Sequence, residues 1–389
     1  MIKNNNHTNL LLVLFFIIFI GAFLMYSASS SFAFYKFNKS DTYFLYKHIL
    51  WLSIGLIALF IISNINYNIL NKYSLLILIV SWIIMLIPII LNKIGFEGYT
   101  IARWLKIGSF TIMTTSDFGK LAIIIFSCSF IDKYYSKINN YRFVLKNFFG
   151  YFIVSIGLVL WQPDLSTSVL ISLVIFCLFF ISGIDKKFIL GIIFTGLFLF
   201  ICIVFLAQIV TFFGFEMESY KTARIWNWIN SFGINGTQSQ SYFSLLALSN
   251  GGFMGRGIGE SIFKYNGFIP EGQTDFILAI IGEEIGFIGI FILFCLFTLF
   301  FIIGMNISKN CKNRFGMFLS LGISLNLFLY LLINSAYVIG ILPTTGLPIP
   351  FISYGGSQTI FSLVSVAILI NISKRNSKYF KKRFYYGKL

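Results

Sequence analysis

Residues 270–304 read PEGQTDFILAIIGEEIGFIGIFILFCLFTLFFIIG, and they make two opposed demands. From Phe276 onward the run is long and apolar enough for a helix across hydrocarbon, which needs about 20 such residues and bonds every backbone group within its own segment. Yet Glu271, Asp275, Glu283 and Glu284 bring four carboxylates into it. Ionisable groups in a span are costly and face a partner or a wet cavity. On a straight helix starting at Thr274, Asp275 and Glu283 would stand about 12 Å apart along the axis, with Glu284 pointing roughly opposite Asp275. No local carboxylate pair follows. Asp275 sits at the mouth of the span, where a helix N-terminus favours negative charge. Thr274 or Asp275 as a simple helix cap is the competing structural reading.

The rest of the chain supports the membrane reading. Its 389 residues are 58% hydrophobic and 19% aromatic, with a mean hydropathy of +0.87 and 11% charged residues, against about 25% charged in soluble domains. Apolar runs predict an all-α integral membrane bundle of about ten spans, near 10–27, 45–63, 73–91, 112–131, 144–160, 165–183, 188–211, 275–304, 315–338 and 356–372. The whole chain, 1–389, reads as one polytopic domain with a large loop, 212–274, between the seventh and eighth spans and a basic tail, 373–389. The loop holds apolar and Gly-rich pieces such as Tyr242–Leu248 and Gly251–Gly257, so ordered interfacial helices are expected there rather than a disordered linker.

Charge sets the orientation. With the N-terminus inside, most of the 29 Lys and Arg residues fall on the cytoplasmic side, while most of the 13 acids fall in outer loops or spans, as the positive-inside bias requires. The net charge of +16 is therefore read as topology and anionic-lipid contact, not as nucleic-acid binding. The five cysteines lie in spans or an inner loop, which excludes a disulfide framework and makes metal ligation by them an unattractive reading.

Both histidines, His7 and His48, lie away from the outer loops, which argues against a histidine base or zinc site. Acid–base chemistry at the outer face would then fall to a carboxylate, and Asp275 is the best placed. The cations available to an anionic ligand are Arg103, Lys106, Lys120, Arg224, Arg256 and Lys264; arginine suits bidentate phosphate recognition and lysine supplies a point charge. Lys120 could instead pair with Asp117 at helix spacing, and Asp164 reads equally as an N-cap or a ligand.

Several motifs together resemble the SEDS family, the shape, elongation, division and sporulation proteins that polymerise bacterial peptidoglycan. They are Arg103-Trp104, Ser116-Asp117-Phe118-Gly119-Lys120-Leu121-Ala122, Gln162-Pro163-Asp164-Leu165, Pro270-Glu271 with Thr274-Asp275-Phe276, Gly282-Glu283-Glu284-Ile285-Gly286, and residues 347–357, LPIPFISYGGS. The stretches Met25–Ser29, Tyr242–Leu248 and Gly346–Phe351 resemble the family's division branch more than its elongation branch. Departures fall at Thr115, Asp117, Ser166, Gln273 and Gln358, where Pro, Glu, Gly, His and Ser are usual. None removes a proposed catalytic group.

The resemblance implies a glycosyltransferase that joins lipid II at the outer face of the bacterial inner membrane, with both termini cytoplasmic and the division septum as its place of work. Asp275 would be the general base, with Arg103, Lys120 and Arg224 on the pyrophosphate or shaping the cavity. Glu283 and Glu284 are further substrate-side candidates, better suited to supporting the cavity. A divalent cation, Mg or Mn, is the candidate helper, with no organic cofactor. The implied partners are a single-span class B penicillin-binding protein that crosslinks the glycan, other division proteins and membrane lipids. An elongation polymerase, a lipid II flippase and a non-enzymatic division scaffold are the alternative readings.

Overall fold

The computed structural model describes residues 6–37, 40–96, 103–107, 110–185, 187–188, 191, 240–265, 267–269, 272–343 and 346–386. Helices α1 (Asn6–Phe37) and α2 (Tyr43–Ile62) precede a one-turn α3 (Asn68–Lys72) and α4 (Ser74–Lys93). An antiparallel hairpin of β1 (Trp104–Ile107) and β2 (Phe110–Thr114) runs straight into α5 (Thr115–Lys133). Then come α6 (Tyr141–Asn147), α7 (Phe149–Trp161) and α8 (Leu165–Ser182). The later described helices are α9 (Gln240–Gly251), α10 (Ile262–Tyr265), α11 (Ile277–Lys309), α12 (Arg314–Val338) and α13 (Gly356–Tyr386).

Among the described residues, seven helices are long and apolar enough to cross a membrane; α6 and α7, bent by 52° about Phe148, make an eighth if taken as one span. The fifth sequence span is thus a bent pair. The seventh, 188–211, falls almost wholly outside the described residues. Helix α5, expected as the fourth span, carries Asp117, Lys120, Asp132 and Lys133. Asp132 and Lys133 fall at its end, past the buried run; it tolerates Asp117 and Lys120 because it is the central helix: from Thr115 to Ile131 every residue except Phe118 is buried, and α4, α7, α8, α12 and α13 pack around it. The hairpin before it was not expected. Its second strand, Phe110-Thr111-Ile112-Met113-Thr114, is rich in β-branched and aromatic residues, which suit a pleated strand, but it is too short to reveal its period.

Local chemistry fixes the helix ends. Asp164 caps α8 by accepting from the Thr167 amide at 3.2 Å, and Gly183, at φ 94°, ends it in the left-handed conformation. Asn313 caps α12 through the Phe315 amide. Large apolar side chains such as Phe15, Phe19, Ile57, Phe60 and Ile83 point outward, as a lipid-facing rim requires. Between helices, small residues and hydrogen bonds replace a hydrophobic driving force: Ser74 to Ser129 at 2.9 Å, Trp82 to Ser155 at 2.9 Å, and Asn371 to the Ser63 carbonyl at 2.7 Å.

Helix α11 is interrupted. Gly286 takes φ 74°, ψ −163° inside it, which would leave carbonyls and amides bare in an apolar setting. The segment after α9 repairs the break. The amides of Arg256 and Gly257 donate to the carbonyls of Glu283 and Glu284, each at 3.0 Å, while the amides of Phe287 and Ile288 donate to Gly252 and Phe253 at 3.0 and 3.3 Å. The fit is close enough that a Cβ at Gly251, Gly255 or Gly286 would collide with backbone across the contact.

Candidate functional site

At one end of the bundle, the cavity end, α5, α8, α11 and α12 meet the β hairpin and the returning segment 346–356. A cavity of about 670 Å³ opens there, and Arg103, Asp117, Asp275, Tyr330 and Tyr354 stand on its wall. Each is held by a different element.

Asp275 lies in the turn 272–276 just before α11. The N-cap position falls on Phe276, so neither Thr274 nor Asp275 occupies it. The Asp275 carbonyl accepts from the Asn334 amide at 2.8 Å and the Tyr337 hydroxyl at 2.9 Å. The same two side chains donate to the Leu347 carbonyl at 2.7 and 2.8 Å, and the Tyr354 amide donates to the Gln273 carbonyl at 2.9 Å. Helix α12 therefore clamps the turn and the returning segment together. That segment is itself strained: Phe351 adopts φ 67°, a costly conformation for an aromatic residue. His48 of α2 donates to the Phe351 carbonyl. Gly21 of α1 lies against it, so that a Cβ there would come within 2.5 Å of the oxygen.

Arg103 reaches in from the hairpin and forms a 3.0 Å ion pair with Asp164, its own side chain 27% exposed. Asp164 also accepts from Ser116 at 2.8 Å and Thr167 at 2.9 Å. Loss of solvent lowers the Arg103 pKa, but the carboxylates of Asp164, Asp117 and Asp275, in that order, outweigh it and raise it above the usual value. The guanidinium is thus a fixed cation, held directly by Asp164. Its buried Nε–H has no acceptor among the described residues.

Lys120 occupies a layer behind the wall. It pairs with Asp117 at 3.2 Å, makes a short hydrogen bond to the Tyr330 hydroxyl, and lies 4.3 Å from the centre of that ring. The helix-spaced pair anticipated from sequence is present, and Asp117 and Tyr330 are what Lys120 presents to the cavity. Arg224 lies outside the described residues.

A family model described as cell cycle protein, FtsW/RodA/SpoVE, matches residues 7–378. The chain belongs to the FtsW/RodA/SpoVE family. Among its relatives, a probable peptidoglycan glycosyltransferase FtsW of Trichlorobacter lovleyi is 33% identical over 368 residues, covering 94% of this chain and 92% of that protein. Stage V sporulation protein E of Bacillus subtilis is 31% identical over 372 residues, covering 95% and 97%. The fold matches the rod shape determining protein RodA of Thermus thermophilus with a TM-score of 0.66 at 19% identity, over 94% of this chain and 96% of that one. A chain from work on the structural coordination of polymerization and crosslinking by a peptidoglycan synthase complex gives a TM-score of 0.71, also at 19% identity, covering 94% and 97%.

In this FtsW/RodA/SpoVE chain, Glu283 and Glu284 are not among the residues lining the cavity. Glu283 accepts from Ser261 at 2.5 Å, Asn250 at 2.8 Å and the Ile262 amide at 3.1 Å. Glu284 accepts from Ser27 of α1 at 2.6 Å and pairs with Lys264 at 2.8 Å, and Lys264 also donates to the Ser27 carbonyl at 2.9 Å. The two acids bind α1, α10 and the segment after α9 to the break in α11, a bracing position. Tyr330, Asn334 and Tyr337 went unnoticed in the sequence, being apolar-helix residues on α12. Their spacing of four and three puts them on one helix face, the only local signal available.

Proposed function

We propose that this protein is a peptidoglycan glycosyltransferase that polymerises lipid II at the outer face of the bacterial inner membrane, for septal wall synthesis. The observation that carries the reading is the cavity at one end of an apolar bundle on whose wall Arg103, Asp117, Asp275 and Tyr330 stand together, with Arg103 held by its 3.0 Å ion pair to Asp164. A substrate with a lipid tail keeps its sugars and phosphates at the interface, and a cavity there meets them without dragging charge through hydrocarbon. The names of the FtsW relatives support the activity and the division role.

In this reading the acceptor's 4-hydroxyl attacks the anomeric carbon of the growing chain. The new carbon–oxygen bond forms as the bond to undecaprenyl pyrophosphate breaks, with inversion, and Asp275 takes the hydroxyl proton. Arg103 stabilises the leaving group through charge-assisted hydrogen bonds. Lys120 tunes Asp117 and Tyr330 from behind the wall, and Arg224 remains a candidate for the pyrophosphate. Among the described residues no three His, Cys, Asp or Glu gather as a metal cage. Asp275 and Asp117 nevertheless suit Mg, which is commonly held by one or two carboxylates with substrate phosphates. Bound there, it would supply charge neutralisation to the leaving group.

A class B penicillin-binding protein is the proposed crosslinking partner, consistent with the fold shared with a chain of a synthase complex. The basic tail supports a cytoplasmic C-terminus, and an even number of spans would put the N-terminus on the same side. The deciding experiment supplies labelled lipid II to the purified protein with that partner and resolves glycan products. Polymer supports the reading. Movement of labelled lipid II between leaflets without polymer, from protein shown to be folded and partner-bound, overturns it in favour of a flippase.

A further inference from the structure

A second cavity, of about 660 Å³, lies at the end of the bundle opposite Asp275, in the wedge between α4, α5 and α7 with α3 beneath it. Its wall is divided. Leu75, Phe126 and Phe130 form an apolar side, while Asn71, Ser129 and Asp132 form a polar floor. That floor is internally satisfied. The Asn71 amide donates to Asp132 at 3.1 Å and its oxygen accepts from Ser129 at 2.6 Å, while Ser74 donates to Ser129 at 2.9 Å.

The rim is different. Lys72 and Lys133 stand at it, both exposed, and neither has an ion-pair partner among the described residues; each ammonium rests near a neighbouring ring, 5.3 Å from Tyr73 and 5.2 Å from Tyr134. The acid nearest to them, Asp132, takes a neutral amide instead. Two lysines and one aspartate leave one positive charge, the complement of a single phosphodiester. Exposed Leu75 and Leu76 flank the cavity on α4, so an acyl chain leaving it would run along an apolar helix face. Above it, the Trp82–Ser155 bond between α4 and α7 closes the wedge. A charged rim, a hydroxyl-bearing floor and an apolar exit describe an amphiphile. Basic pockets between spans on the cytoplasmic side are the setting in which anionic headgroups bind.

We infer that the α4–α5–α7 wedge is a binding site for the headgroup of an anionic phospholipid. Its phosphate sits on Lys72 and Lys133, and its headgroup hydroxyls meet Asp132 and Asn147, the last residue of α6, which also lines the cavity. The site is independent of the proposed polymerase activity and lies at the far end of α5 from Asp117 and Lys120.

The test uses the full-length protein in detergent, equilibrated with dioleoyl phosphatidylglycerol or dioleoyl phosphatidylcholine, and counts retained lipids by native mass spectrometry. One phosphatidylglycerol should survive delipidation where phosphatidylcholine does not. Lys72→Gln and Lys133→Gln should each weaken retention about fivefold, and roughly 25-fold together, in keeping with the contribution of a basic residue near an anionic surface. Lys72→Arg with Lys133→Arg should restore it. Asn147→Trp keeps every charge and blocks the rim, so it should also abolish retention while leaving the unfolding temperature in plain detergent unchanged. Equal retention of both lipids, or unchanged phosphatidylglycerol retention in both the double Gln variant and Asn147→Trp, overturns the proposal. So does displacement of the lipid by excess inorganic phosphate, which would mark a soluble-anion site.

Discussion

Two carboxylate sites lie within ten residues of each other at the start of α11, and they are built on opposite plans. Around Glu283 and Glu284 the acids are 0% and 2% exposed, and their oxygens are engaged by Ser27, Asn250, Ser261 and Lys264. Around Asp275 the protein holds the backbone rigidly, through Asn334 and Tyr337, and turns the residue to a cavity. The first arrangement uses acids as structural ties. The second holds the main chain and sets the residue on a cavity wall. What separates them is burial among structural partners against a place on a cavity wall, a distinction the one-letter string does not carry.

The sharpest way to break this comparison is Asp275→Asn. Asn preserves shape but cannot take the hydroxyl proton, so polymerisation should fall by roughly 10²- to 10⁴-fold, with the unfolding temperature close to the parent's. Near-parental product formation at equal folded protein would reduce Asp275 to a structural residue. Glu284→Ala should do the reverse. It strands Lys264 in a buried site, a loss of about 3–5 kcal/mol in stability, measured by thermal unfolding in detergent, while activity per folded molecule stays near the parent's. A catalytic defect without destabilisation would erase the contrast.

Smaller effects sharpen it. Arg103→Gln removes a charge-assisted bond to Asp164, worth about 1.5–3 kcal/mol, and should raise KM for lipid II or lower kcat by a corresponding factor. Because its neighbours raise the Arg103 pKa, any alkaline limb in the parent's pH–rate profile should persist in Arg103→Gln; its disappearance would contradict the fixed-cation assignment. The smallest effect expected is from Gln358→Ser. Gln358 donates to the Pro348 carbonyl at 2.5 Å, so its removal should cost about 0.5–1.5 kcal/mol and loosen the returning segment without abolishing turnover. A loss as large as that of Asp275→Asn would move the catalytic assignment toward residues 346–358.

Much of the bundle was legible because hydrocarbon imposes one rule, length with apolarity, on each span. α2, α4, α8 and α12 therefore lie close to their expected bounds, whereas α13 starts where expected but runs on to Tyr386, through most of the stretch expected as a basic tail. The rule weakens where helices are shielded from lipid: α5 carries charges because other helices surround it, and the bend at Phe148 falls inside a cluster with Phe126, Phe130 and Phe179 that no periodicity announces. At the site, Asp275 and Arg103 were legible as charged groups beside loops. The layering was not, since placing Lys120 behind Tyr330 joins residues 210 positions apart. Likewise Glu283 and Glu284 could be read as costly, but their partners Ser27 and Lys264 come from remote segments.

The Phe351 carbonyl has a mechanical meaning. It is gripped by His48 from α2 and abutted by Gly21 of α1, while its own segment forms part of the cavity wall. Without a side chain at position 21 there is no compliant layer between α1 and that carbonyl, so backbone bears on backbone. A displacement of α1 in the membrane plane would bear on the cavity wall with little slack. α1 carries Phe15, Phe19 and Phe23 on its outward face, a handle on the lever at the lipid side, and its short arm ends at the wall that shapes the pocket.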